Sequence, residues 1–289
     1  MIEWYYLIII SAVLNALTLI IKKQLLRLEH ALSFSASVTF ITALLSLSLI
    51  PFVSFSISMY QLLLLFLYSF LLALTYWVSA RLFRHGSLST GSALYGILPI
   101  IVTVILAFLF LSENLGTVKY FAILVILLAA FIMVEQSNKK RDPWQKRYYD
   151  IAIVATTLLI GIANILLKYS FLQQIGIFTF IFFTGIFTPV IIIVLMLSKP
   201  TEYKKETITD MKKFIRPIIL FSALTLAYRI FLYSAIASTD VSLAIPLSSA
   251  VIIIITVLSG GFFFGEHHMR RKLLFSAIML VAAYFLVVA

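Results

Sequence analysis

The sequence predicts an all-α integral membrane protein, with ten transmembrane helices arranged as two inverted five-helix repeats. Three observations predict this. Hydrophobic residues make up 63% of the 289 positions and charged residues 11%, against about 45–50% and about 25% in an average soluble domain. Too few charges remain to cover a soluble globule, which excludes a soluble enzyme, a disordered chain and a fibrous repeat. The apolar residues fall into ten runs, most of them near the ~20 residues that a bilayer core requires. The second half of the chain also repeats the pattern of the first.

The runs span about 2–21, 31–53, 61–80, 87–111, 116–135, 149–170, 174–198, 217–238, 241–264 and 272–289. They are continuous rather than alternating, so a β-barrel is excluded. The first opens at Ile2 with no basic segment before it and no small-residue cleavage site after it, so it reads as a span and not a signal peptide. It closes at Lys22–Lys23, the second at Pro51, and the third at Arg84-His85-Gly86. The fourth closes at Glu113–Asn114 and the ninth before Glu266 through Lys272; both breaks are short, so each joins an antiparallel hairpin. Lys199–Pro200 closes the seventh run and Arg216–Pro217 opens the eighth. Between the fifth and sixth runs lies the hydrophilic stretch Gln136 to Arg147, giving a first repeat of 1–138, a basic linker of 139–148 and a second repeat of 149–289. The stretch Ser198 to Arg216 reads as a solvated loop.

The net charge of +11 comes from short clusters between apolar runs, as membrane-flanking anchors do, and not from a basic stripe that would bind nucleic acid. Cysteine is absent, which excludes disulfides, thiolate metal sites and a cysteine nucleophile. The four histidines form no i, i+4 pair suited to a metal, and no glycine-rich nucleotide loop occurs. An integral-membrane enzyme is therefore disfavoured, and no cofactor is expected beyond coupling to protons or to solute exchange.

A shift of 153 residues, without a gap, places Ser89 on Ser242, Thr103 on Thr256, Glu113 on Glu266 and Lys119 on Lys272. Over 86–135 this gives 13 identities in 50 positions. Upstream, a shift of 145 places Lys23 on Lys168. Five spans per copy is an odd number, so the copies lie in opposite orientations about an axis in the membrane plane, the arrangement that supports alternating access to one central site.

The ends of the fourth and ninth runs, Phe108-Leu-Phe-Leu-Ser-Glu113 and Gly261-Phe-Phe-Phe-Gly-Glu266, resemble the Gly-Glu signature of the drug/metabolite transporter superfamily in its ten-helix EamA-type branch, with Ser112 where that family usually has glycine. The resemblance covers the whole chain. It implies a small-molecule transporter of the cytoplasmic membrane with a cavity between the repeats, and it leaves substrate, direction and monomer or homodimer open.

Ionisable groups within a span are costly and mark function by default. Arg229 lies mid-span in 217–238, between Tyr228 and Tyr233, and the repeat places it opposite Tyr76 in the run Thr75-Tyr-Trp-Val78. It reads as an anchor for an anionic or zwitterionic solute such as an amino acid, organic acid or phosphorylated metabolite; a structural pair with a carboxylate or carbonyls is the alternative. Lys168 shares a helix face with Asn164, either directed into the cavity or snorkelling to the interface. Asn15 is a mid-helix amide. Tyr68, Tyr76, Trp77, Tyr95, Tyr228 and Tyr233 are candidate lining. Glu113 and Glu266 read as gates or structural caps, since a carboxylate at a helix C-terminus meets the negative dipole end and needs compensation. Asp240 reads as an N-cap. Pro99 and Pro246 each free a backbone carbonyl within a span, as does Pro189. A lipid flippase on the same fold is the alternative function.

The loops after the first, third, fifth, seventh and ninth runs, with their flanks, hold 19 of the 22 Lys and Arg. The positive-inside rule puts them in the cytoplasm and both termini outside, whereas the family resemblance implies both termini inside.

Overall fold

A backbone in hydrocarbon must satisfy its own polar groups, and a chain of Leu, Ile and Phe runs does so as helices. The computed structural model describes residues 3–26, 31–85, 88–135, 143–197, 207–209, 211–265 and 269–288. Its principal helices are α1 (Trp4–Leu25), α2 (Ala31–Ser46), α3 (Met59–His85), α4 (Leu88–Leu111), α5 (Thr117–Glu135), α6 (Pro143–Leu172), α7 (Ile177–Leu197), α8 (Ile215–Ser238), α9 (Val241–Phe264) and α10 (Met269–Val288), with a 3₁₀ turn at Leu47–Phe52 after α2. No strand occurs among the described residues. Eight helical segments are long and apolar enough to cross a membrane; apolar segments at Tyr95–Leu111 and Thr117–Ile132 are shorter among the described residues. The exposed surface carries large apolar side chains such as Phe110, Phe121, Phe262 and Tyr284, as a lipid-facing surface does.

The boundaries differ from the sequence reading chiefly at α2, which ends at Ser46, at α3, which continues to His85, and at α6. α6 begins at Pro143, so most of the stretch read as a linker over 139–148 is helical. Proline is suited to a first helical turn, where its missing N–H costs nothing, and the polar Gln145 to Tyr149 extend the helix beyond its apolar part. The 3₁₀ turn explains the end of the second run: Pro51 cannot continue an α-helix.

α6 ends in a Schellman turn. Ile175 N–H donates to Ser170 O (3.2 Å) and Gln174 N–H to Phe171 O (2.9 Å), with Gln174 at φ 61°, a left-handed position that usually takes glycine. The ends of α4 and α9 share only the left-handed residue, at matched positions, Ser112 at φ 55° and Gly265 at φ 61°.

Helix packing places a central group. α1 packs on α8 and α9, α3 on α6 and α7, α4 on α6 and α9, α2 on α7 and α8, and α5 on α10. Close approach is built into the α4–α6 contact, where a Cβ on Gly161 would lie 2.5 Å from the Val102 side chain.

Candidate functional site: a cavity around Arg229

The middle of α8 carries one charge, Arg229, which is 3% exposed. One terminal guanidinium nitrogen donates to the Tyr76 hydroxyl of α3 at 3.1 Å. Its Nε is buried and has no hydrogen-bond partner among the described residues. Arginine presents five donors in a fixed fork, and an unsatisfied buried donor of a charged group is expensive. The guanidinium lines a cavity of about 120 Å³.

That cavity draws on both halves of the chain. α1 supplies Asn15 and Leu19, α3 supplies Tyr68 and Thr75, and α4 supplies Tyr95, Gly96 and Pro99. α6 contributes Asn164 and Leu167, α8 contributes Tyr228 and Tyr233 beside Arg229, and α9 contributes Ser248 and Ser249. Polar groups are mostly fixed by partners. Tyr68 and Tyr233 share a hydroxyl hydrogen bond of 2.7 Å. Asn164 donates to Thr103 Oγ1 at 3.0 Å, and Ser249 donates to the Gly96 carbonyl at 3.0 Å. Among the described residues the lining contains apolar side chains, amides, hydroxyls and one cation, but no carboxylate. Such a site can receive an acid group on the guanidinium and hold the rest of a small solute among aromatic faces and neutral donors.

Several residues singled out in the sequence lie elsewhere. Lys168 is not in the cavity; its ammonium donates to Ile236 O (2.9 Å) and Thr239 O (2.7 Å), the carbonyls that end α8, where a cation meets the negative dipole end. The Asn164–Lys168 pair is therefore split, because a helix face one turn long spans both the cavity and its end. Trp77 packs with Leu32, Ala73, Ile192 and Met196. Pro246 is buried in α9 outside the lining.

Glu113 is buried, and its compensation is the start of α9. Its carboxylate accepts the backbone N–H groups of Val241 and Ser242, each at 3.0 Å, and the Ser242 hydroxyl. Asp240 occupies the N-cap position but makes no side-chain cap bond; Glu113, reaching from α4, does that work in its place. Glu266 lies outside the described residues, as do His30, His267 and His268. Among the described residues no group of His, Cys, Asp or Glu could hold a metal.

Sequence reasoning missed Lys22. The residue is 3% exposed; its ammonium donates to Ser79 Oγ at 2.9 Å and lies 4.8 Å from the Phe83 ring centre and 5.4 Å from that of Tyr95. The signal was its register: Lys22 lies three residues beyond Leu19 and seven beyond Asn15, on the face that lines the cavity.

A second hollow, about 500 Å³, lies between α5 and α10 and is lined by apolar side chains such as Phe121, Val125, Leu274 and Phe285. It offers a solute nothing polar.

No protein-family model and no curated protein matches the chain. A solved structure known only as the crystal structure of a protein superposes with a TM-score of 0.68 at 11% identity, over 98% of this chain and 95% of its own. At that identity the likeness is one of fold alone. Among the described residues the chain is thus an all-helical protein of the multi-pass membrane class, with a cavity of mixed apolar and polar lining inside its helix bundle.

Proposed function

We propose that this chain is a secondary transporter that moves a small anionic or zwitterionic solute by alternating access, with the ten-span, inverted-repeat architecture of the EamA-type drug/metabolite transporters, in the cytoplasmic membrane. The observation that carries the reading is Arg229: a buried guanidinium at mid-span, with an unpaired Nε, in a cavity shared by both halves.

The inverted repeat has independent support. Exchanging α1–α5 for α6–α10 leaves the principal packing pairs unchanged: α1–α8 exchanges with α6–α3, α1–α9 with α6–α4, α2–α8 with α7–α3, while α2–α7, α4–α9 and α5–α10 exchange with themselves. Lys23 donates to Phe83 O at 2.6 Å, as Lys168 does to Ile236 O, and Phe83 and Ile236 are 153 residues apart. Two bonds join matched positions directly, Arg229 to Tyr76 and Ser249 to Gly96, each across 153 residues. These matched contacts support a cavity on the pseudo-twofold axis of the proposed repeat, where alternating access needs it.

The test is ligand stabilisation of the purified protein by a panel of small acids, amino acids and organic cations, since only solutes that bind the folded form raise its melting temperature. Anionic or zwitterionic solutes are expected to stabilise the chain, and Arg229→Gln is expected to abolish their effect while keeping a cooperative melt. Stabilisation by cations alone, or anion shifts that survive Arg229→Gln, would refute the reading.

A further inference from the structure

Two buried basic side chains stand beside the cavity, Arg229 and Lys22, and among the described residues neither has an acidic partner. Arg229 meets the Tyr76 hydroxyl, and Lys22 meets one serine hydroxyl and two aromatic rings. The two come from helices that pack against each other, α1 and α8. Lys22 is coupled to the cavity through Tyr95, whose ring it faces and which lines the space, and through Leu19 and Asn15 on its own helix face.

The charge is not a by-product of the repeat. The position matched to Lys22 is Leu167, which lines the cavity as an apolar residue, and the position matched to Arg229 is Tyr76. Each half therefore supplies one cation at a position where the other half has none. A buried charge without a partner is costly. A singly charged solute on Arg229 would leave the charge of Lys22 unanswered. At an effective dielectric of about 20, attraction between charges is about four times that in water, so the ammonium acts on the cavity without touching the solute.

Resting on the anion reading of this cavity, we propose that the site selects a small dianion, a solute with two acidic groups. One acid group takes the free edge of the Arg229 guanidinium, and the second lies toward Tyr95, where the field of Lys22 stabilises it. Lys22 is a specificity residue that acts through Tyr95 and does not need to contact the solute.

The experiment compares succinate with butyrate, acids of equal carbon count, in thermal titrations of the purified full-length chain at constant ionic strength and at a pH where both carboxyls of succinate are ionised. Succinate is expected to bind about tenfold or more tightly, a difference of about 1.4 kcal/mol or more. Lys22→Met should remove that preference while leaving the butyrate shift, Lys22→Arg should keep it, and Arg229→Gln should remove both shifts. Monomethyl succinate, which keeps the shape with one charge, should bind the unaltered chain as butyrate does; this comparison needs no variant to fold. Equal binding of succinate and its monomethyl ester, or a preference that survives Lys22→Met, would overturn the dianion proposal and leave the anion site standing. Stabilisation by neither acid, nor by any other anion, would overturn both.

Discussion

Glu113 shows how a residue that looks misplaced in one helix can be well placed for another. At the end of α4 the dipole disfavours it, but its carboxylate covers two free amides at the start of α9, where the dipole favours it. Glu113→Ala would leave these donors and the Ser242 hydroxyl buried without an acceptor. It is expected to cost about 2–4 kcal/mol, and Glu113→Gln, which keeps an acceptor, distinctly less. Thermal melts of the two variants check this ordering, and equal losses would contradict the capping role. The sequence signalled that Glu113 needed compensation, because charges are rare in these runs. It could not name the partner, since α9 lies far along the chain. Arg229 was legible for the same reason of rarity. Lys22 was not, because a lysine in the last turn of an apolar run reads as an interfacial anchor until the helices packed over it are known.

At the scale of elements, helix ends and close contacts carry the expectations. Gln174 holds a left-handed turn that costs a side chain about 1 kcal/mol relative to glycine. Gln174→Gly is expected to raise stability by up to about 1 kcal/mol, offset in part by the greater freedom of glycine in the unfolded chain. A lower melting temperature would show that the Gln174 side chain contributes more than the turn costs. Gly161→Ala forces a Cβ into Val102 and is expected to cost about 1–3 kcal/mol. The loss should be recovered in part by Val102→Ala if the α4–α6 contact is its cause, and a double-mutant cycle in thermal melts measures that recovery. The length of the apolar runs located the helices, eight of which among the described residues are long and apolar enough to cross a membrane. It placed the start of α6 too late because polar residues from Gln145 onward can be helical outside the apolar zone, where hydropathy carries no information.

For the whole molecule, the duplication read from matched serines, threonines and glutamates is accompanied by packing that is unchanged when the halves exchange. Charge distribution and family resemblance give opposite orientations, and the charge count favours both termini outside. Reporter fusions at both ends are expected to place the two termini on the same, outer face. Termini on opposite faces would contradict an even number of spans. Alternating access itself is open to one direct measurement. The chain contains no cysteine, so Ser249→Cys, in the cavity lining opposite Gly96, provides a single probe. Membrane-impermeant thiol reagents applied from each side of oriented vesicles should both reach it, with a bound acid raising the rate from one face as it lowers the rate from the other. Labelling confined to one face under every condition would contradict the account.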